Sequence, residues 1–152
     1  MILRVRTIAL VGAILLSSDT SGAAGENLGA KVKSGVDRAL AAKSQEEVQA
    51  AFDSIVQLGC PAAPEIVDRM DDRRELPVPY IRLANDSPQA FEAFRQYGPE
   101  VVVDALAAIL NDITVGDCGF IFNGAPEAKR AEAVECWRKF VRETPVKNCG
   151  RK

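Results

Sequence analysis

A chain of 152 residues that is 47% hydrophobic and 26% charged is long enough to bury one core and too apolar to remain disordered, so a single globular domain is expected. Its 19 basic and 21 acidic residues are interspersed and leave a formal net charge of -2, which excludes the basic stripe that neutralising nucleic-acid phosphates requires. Histidine is absent and no G-x-S-x-G elbow occurs, so a hydrolase built on a nucleophile and an imidazole base is excluded as well.

The chain begins with a targeting pattern. Arg4 and Arg6 precede a short apolar run from Ile8 to Leu16, and the small-residue tail that follows permits cleavage after Ala23 or Ala24. That run is too short to span a bilayer comfortably, and no cysteine near the cleavage site offers a lipid anchor. Residues 1–24 are therefore expected to be a cleaved signal peptide, with export to a periplasm or beyond and no membrane contact afterwards. Export gives the cysteines a meaning. Cys60, Cys118, Cys136 and Cys149 are even in number, widely spaced and without histidine partners, which favours two disulfides over a zinc site. Three pairings are open. Because Cys118, Cys136 and Cys149 all fall near the C-terminus, at least one bridge is expected to staple the last helix to its flanks.

In the mature chain, Leu28, Val32, Val36 and Leu40 recur every fourth residue and draw one stripe along a first helix, which Gly29 and Gly35 weaken. Ser44 and Glu47 form a capping box for the next helix, which buries Val48, Phe52 and Ile55 and ends at Gly59, where a left-handed residue costs little. Pro61 opens a further helix carrying Ile66, Val67 and Met70 inward. The charge run Asp71 to Glu75 with Pro77 and Pro79 then breaks the pattern, and Tyr80 to Ala84 fits a short helical turn. Asp86 with Gln89 is a second capping box. A helix with Phe91, Phe94 and Tyr97 toward the core is expected next, turning at Gly98 and Pro99. Val102, Leu106, Ile109, Leu110 and Ile113 predict the most apolar helix, at the centre of the fold. Val115 to Pro126 reads as an irregular loop, and a last helix over residues 126–143 buries Val134, Trp137, Phe140 and Val141 before Pro145 stops it. Residues 145–152 form a short tail.

Two stretches echo one another 39 positions apart: Ala51, Phe52, Gln57 and Gly59 recur as Ala90, Phe91, Gln96 and Gly98. This period suits an array of helical hairpins, with copies over residues 45–72 and 86–113. The segment Leu58 to Asp72 resembles the second half of a HEAT-like repeat, through Leu58, Gly59, Ala62, Pro64 and Asp72. The later copy keeps Gly98 and Asp112 but has Val101 and Val103 where alanine and proline belong. The resemblance implies an all-α fold over residues 25–144, a short HEAT-like array of about five to seven helices with capping helices, here stapled by disulfides, and a scaffold that works by holding another protein.

Candidate chemistry is sparse. Glu65 and Asp68 share a helix side as an ordinary solvated face, and Asp112 and Asp117 lack the alternating oxygen ligands of a calcium loop; no phosphate cradle occurs. No enzyme activity, metal or cofactor is expected. Partner binding is expected at two surfaces: the loop bearing Arg73, Arg74, Glu75 and Tyr80, residue types favoured as interface anchors, and the tip Phe120, Ile121 and Phe122, of which two are expected to fold onto the core near Trp137. The leading expectation is an exported module that binds another protein, in one version an immunity or inhibitor protein for a secreted enzyme. A structural or assembly subunit of an envelope complex, or a carboxylate-dependent enzyme, are the alternatives.

Overall fold

Five α-helices and one β-hairpin make up the residues described, 21–85 and 89–150 of a computed structural model, with side chains from residue 27 onward. The signal segment lies outside them through residue 20, as do the cap residues 86–88. The four-residue stripe of the N-terminal region becomes α1, Ser21–Ala41, which lies along α2, Gln45–Val56. Val32, Val36 and Ala39 are buried against Val48, Phe52 and Ile55. Gly35 is what lets the two axes approach: a Cβ there would stand 2.5 Å from Ile55 Cγ1, so the residue that lowers helix propensity is the one that permits this packing. Ser44 caps α2 as expected, its hydroxyl accepting the Glu47 amide at 3.2 Å while Glu47 accepts the Lys43 amide at 2.7 Å.

Gly59 ends α2 with φ 63° and ψ -168°, and a 3-10 turn at Cys60–Ala62 leads directly into the short α3, Ala63–Val67. α4, Val102–Ile113, is the hub: every residue from Val102 to Asn111 is buried. Against it pack α2, α3 and α5, Glu127–Glu143, and Trp137 of α5 is fully enclosed beside Phe140, their rings edge to face with centroids 5.5 Å apart. Both the central apolar helix and the last helix stand where their periodicity puts them.

The second copy departs from the first. Residues 90–97 do not form a helix; Phe94–Tyr97 is a strand, β2, paired antiparallel with β1, Ile81–Ala84, in the register Ile81 to Tyr97 and Leu83 to Arg95. The turn of helix expected at Tyr80 to Ala84 is thus β1, and the helical hairpin expected over residues 86–113 is replaced by a β-hairpin leading into α4. The physical reason is a switch of period. Ile81 and Leu83 are buried while Arg82 and Ala84 are exposed, an alternation that only a strand supplies. Phe91 and Phe94, expected on a core face, are 106% and 57% exposed. The chain is mostly helical with one small sheet, and equivalent HEAT-like hairpins are not seen at this copy.

Cys60 pairs with Cys149 and Cys118 with Cys136, with Cα atoms 5.9 and 5.7 Å apart. The first bridge holds the C-terminal tail on the Gly59 turn, where the Val115 amide also donates to the Cys149 carbonyl at 2.8 Å. The second ties the 115–125 loop to α5, the staple expected for the last helix. Two such pairs fit an oxidising, exported environment, and among the described residues no helix is long and apolar enough to cross a membrane.

Candidate functional site

The hairpin and the 115–125 loop meet on one side of α4 and build the face on which exposed aromatic residues collect. Its foundation is polar. Arg130 of α5 reaches back to α4, donating from Nε to Asp104 Oδ1 at 2.8 Å and from Nη2 to Asp104 Oδ2 at 3.0 Å and Glu100 Oε2 at 2.8 Å. Asp104 is all but fully buried and also accepts the amides of Glu100 and Val101 at the start of α4, taking the role of an N-terminal cap. Glu100 in turn accepts the Gly124 amide at 2.8 Å. A single guanidinium therefore locks α4, α5 and the loop together. Its own proton affinity is raised by these carboxylates, and hydrogen bonds from Arg130 and the Gly124 amide hold the Glu100 carboxyl below its ordinary value.

Tyr97 of β2 completes the base, donating its hydroxyl to the Ile121 carbonyl. Burial, reinforced by the Asp104 charge, pushes that hydroxyl well above its usual range, so it serves as a neutral donor. Chemically the cluster is a clamp: Glu100 is held ionised beside a permanent cation, and neither a proton donor near neutrality nor a nucleophile is presented.

Above this base lies a groove of about 560 Å³ lined by Arg95, Gln96, Tyr97, Gly98, Phe120, Phe122 and Asn123. Phe120 and Phe122 are exposed on it, and Phe94, on the strand beside it, is exposed as well. The Arg95 guanidinium sits 4.7 Å over the Phe120 ring, a cation–π contact that keeps this phenylalanine at the surface, and it lies 3.9 Å from Asp112. Of the tip residues, Ile121 alone is buried, at 4% exposure. Two of the three were expected to fold inward. Only Ile121 does, because Gly119 at φ 73° and Gly124 at φ 74° turn the loop so that its middle residue points down and its neighbours point out.

The residues of the other expected surface also make contacts within the molecule, while Arg74 and Glu75 stay exposed. Arg73 makes a bidentate pair with Glu127 at 2.8 to 3.1 Å and donates to the Met70 carbonyl at 2.6 Å. Arg74 pairs with Asp72 at 2.5 Å. Glu75 bridges Val101 through its backbone, and the half-buried Tyr80 contributes its carbonyl to Gln45 at 2.5 Å. These residues fasten the 71–80 loop to α2, α4 and α5. Sequence reasoning missed Phe94, Arg95 and Gln96: a helical stripe placed Phe94 toward the core, and Arg95 and Gln96 were not singled out; the alternation at Ile81 to Ala84 was the signal that a strand and its partner were present. Compared with protein-family models, curated proteins and solved structures, the chain matches none of them.

Proposed function

We propose that the chain is an exported protein-binding module, periplasmic or secreted, that engages its partner through the face formed by β2 and the 115–125 loop, and that it acts as an inhibitor or immunity protein for a secreted enzyme. The observation that carries this reading is the pair Phe120 and Phe122, exposed together on one groove, with Phe94 exposed on the strand that borders it. Folded chains seldom leave large aromatic side chains in water side by side unless a partner covers them, and aromatic residues are the commonest anchors in such contacts. The loop that carries Phe120 and Phe122 is pinned by Cys118–Cys136 and by the Arg130 clamp, so little ordering entropy is left to be lost on binding.

The test is site-specific photo-crosslinking with benzoylphenylalanine at position 122 and, as control, at position 31 on the exposed side of α1, in envelope and medium fractions of an expressing cell. A single soluble partner joined at position 122 and not at 31, whose purified enzymatic activity falls to zero at a one-to-one ratio, is the expected result. The same adducts at both positions, or a partner whose activity is unaffected, would overturn the inhibitor reading.

A further inference from the structure

The two edges of the β-hairpin are treated differently. Gln49 of α2 donates its amide to the Arg82 carbonyl at 2.9 Å and accepts the Arg82 amide at 2.7 Å, so one side chain closes the outer edge of β1 as a paired strand would. Because Arg82 points its backbone groups at Gln49, Ile81 and Leu83 point theirs at β2, and their partners Tyr97 and Arg95 point back. The Asn85 amide bonded to the Ala93 carbonyl at 2.9 Å agrees with this phase. It follows that the amides and carbonyls of Phe94 and Gln96 face away from the hairpin, since successive strand residues alternate. Among the described residues no hydrogen bond reaches them. Neither proline nor lysine, the usual guards of an open edge, occurs in Phe94–Tyr97, and the groove of Phe120, Phe122 and Asn123 runs beside the strand.

Resting on the reading that this face binds a protein, we infer that its partner is held by strand addition: an extended segment of the partner lies antiparallel along β2 and exchanges backbone hydrogen bonds with Phe94 and Gln96. A second copy of this chain is a poor occupant. The only self-pairing that uses both Phe94 and Gln96 within the strand sets Arg95 directly opposite the Arg95 of the other copy, and like charges opposed across strands are destabilising. A foreign segment with a carboxylate at that place turns the opposition into attraction, next to Phe120 and across from a guanidinium that Asp112 approaches only to 3.9 Å. Reading from its N-terminus, the segment is apolar opposite Tyr97, polar opposite Gln96, acidic opposite Arg95 and apolar opposite the exposed Phe94 ring. Main-chain bonds supply affinity and the alternate side chains supply selectivity.

The probe is a fluorescent peptide with the core Val-Thr-Asp-Val flanked by polar residues, titrated against the folded mature chain with anisotropy and amide-resolved hydrogen exchange. Binding should slow exchange at Phe94 and Gln96 and leave Arg95 and Tyr97, already bonded to β1, unchanged. Methylating the peptide amide at threonine, which faces the Gln96 carbonyl, should weaken binding at least about tenfold, whereas methylating the aspartate amide, which points away, should not. Gln96→Pro, tolerated because that amide faces outward, should abolish binding; Gln96→Ala should keep it, and the circular-dichroism spectrum of each verifies folding. Equal binding of both methylated peptides, or retention in Gln96→Pro, would overturn strand addition, and loss in Phe122→Ser alone would then leave the protein-binding face standing. No binding of the peptide at millimolar concentration, or self-association of the chain that the peptide does not compete away, would also overturn the inference.

Discussion

Gly59 sits where no other residue is comfortable. At φ 63° and ψ -168° its backbone occupies a region that a residue with a side chain enters at a cost of about 1–3 kcal/mol. A Cβ at this position would meet only Pro61 Cδ, at 3.7 Å, an ordinary contact. The cost of Gly59→Ala is therefore conformational rather than steric, and the urea midpoint should fall by that amount with the slope unchanged. A change below about 0.5 kcal/mol, the range of neutral surface substitutions, would mean that the turn relaxes. Arg130 makes the opposite kind of case. Removing it as Arg130→Met leaves Asp104, 2% exposed at its side chain, as a buried carboxylate without a cation, a loss of about 3–5 kcal/mol. Replacing both partners, as Asp104→Leu with Arg130→Met, removes the desolvated charge too and should recover much of that loss. A double variant no more stable than Arg130→Met would show that the clamp's geometry, and not charge burial, is what matters.

Among the elements, the two disulfides do different work. The bridge between Cys60 and Cys149 closes 89 residues and that between Cys118 and Cys136 only 18, so loop-closure entropy assigns them roughly 5 and 3 kcal/mol respectively. The shorter bridge matters more to the binding face. Cys118→Ala with Cys136→Ala should leave α2 and α4 as protected as before while amide exchange across residues 119–124 rises, because the loop loses the covalent tie to α5 and keeps the hydrogen bonds to Asn111, Glu100 and Tyr97. Unaltered exchange there would show that those hydrogen bonds hold the tip without the bridge. Such pairings were beyond reach of the sequence, since spacing left three possibilities and the choice depends on which turn meets which tail. The helices were legible wherever one stripe explains the apolar residues: Val48, Phe52 and Ile55 for α2, Val102 to Leu110 for α4, Val134 and Trp137 for α5. The hairpin was not. Phe91, Phe94 and Tyr97 are spaced three apart and satisfy a helical face as well as a chain can, and what decides against it is the pairing of Tyr97 with Ile81 and Arg95 with Leu83, sixteen and twelve residues away. The site followed the same rule. Phe120 and Phe122 were visible as an apolar tip, whereas Phe94 and Arg95 joined them only once the strand turned them outward or over the loop.

At the scale of the whole molecule, the ion-paired carboxylates share one electrostatic bias. Glu100 is held below its ordinary 4.5 by its hydrogen bond from Arg130, Glu127 by that from Arg73, Asp72 below 3.8 by Arg74 and Asp37 by Lys33. Each binds its proton more weakly in the folded chain than in the unfolded one. Between the two values the unfolded chain therefore takes up more protons, and stability falls as pH falls. The contribution is fully present above the unfolded values and disappears as pH drops through the lowered folded ones. With no histidine in the chain, no side chain of ordinary affinity titrates between about pH 6 and 8, so the melting temperature should be level there and decline below about pH 4.5. These pairs are largely exposed, so the stabilisation itself should shrink in about 0.5 M salt, where the screening length is only a few ångströms. Glu100→Gln with Glu127→Gln should melt lower at neutral pH and show a shallower acid decline, because two of the protons responsible are no longer there to bind. A melting temperature that holds level to about pH 3 in the unaltered protein, or an acid decline as steep in the double variant, would mean that these ion pairs do not couple protonation to folding.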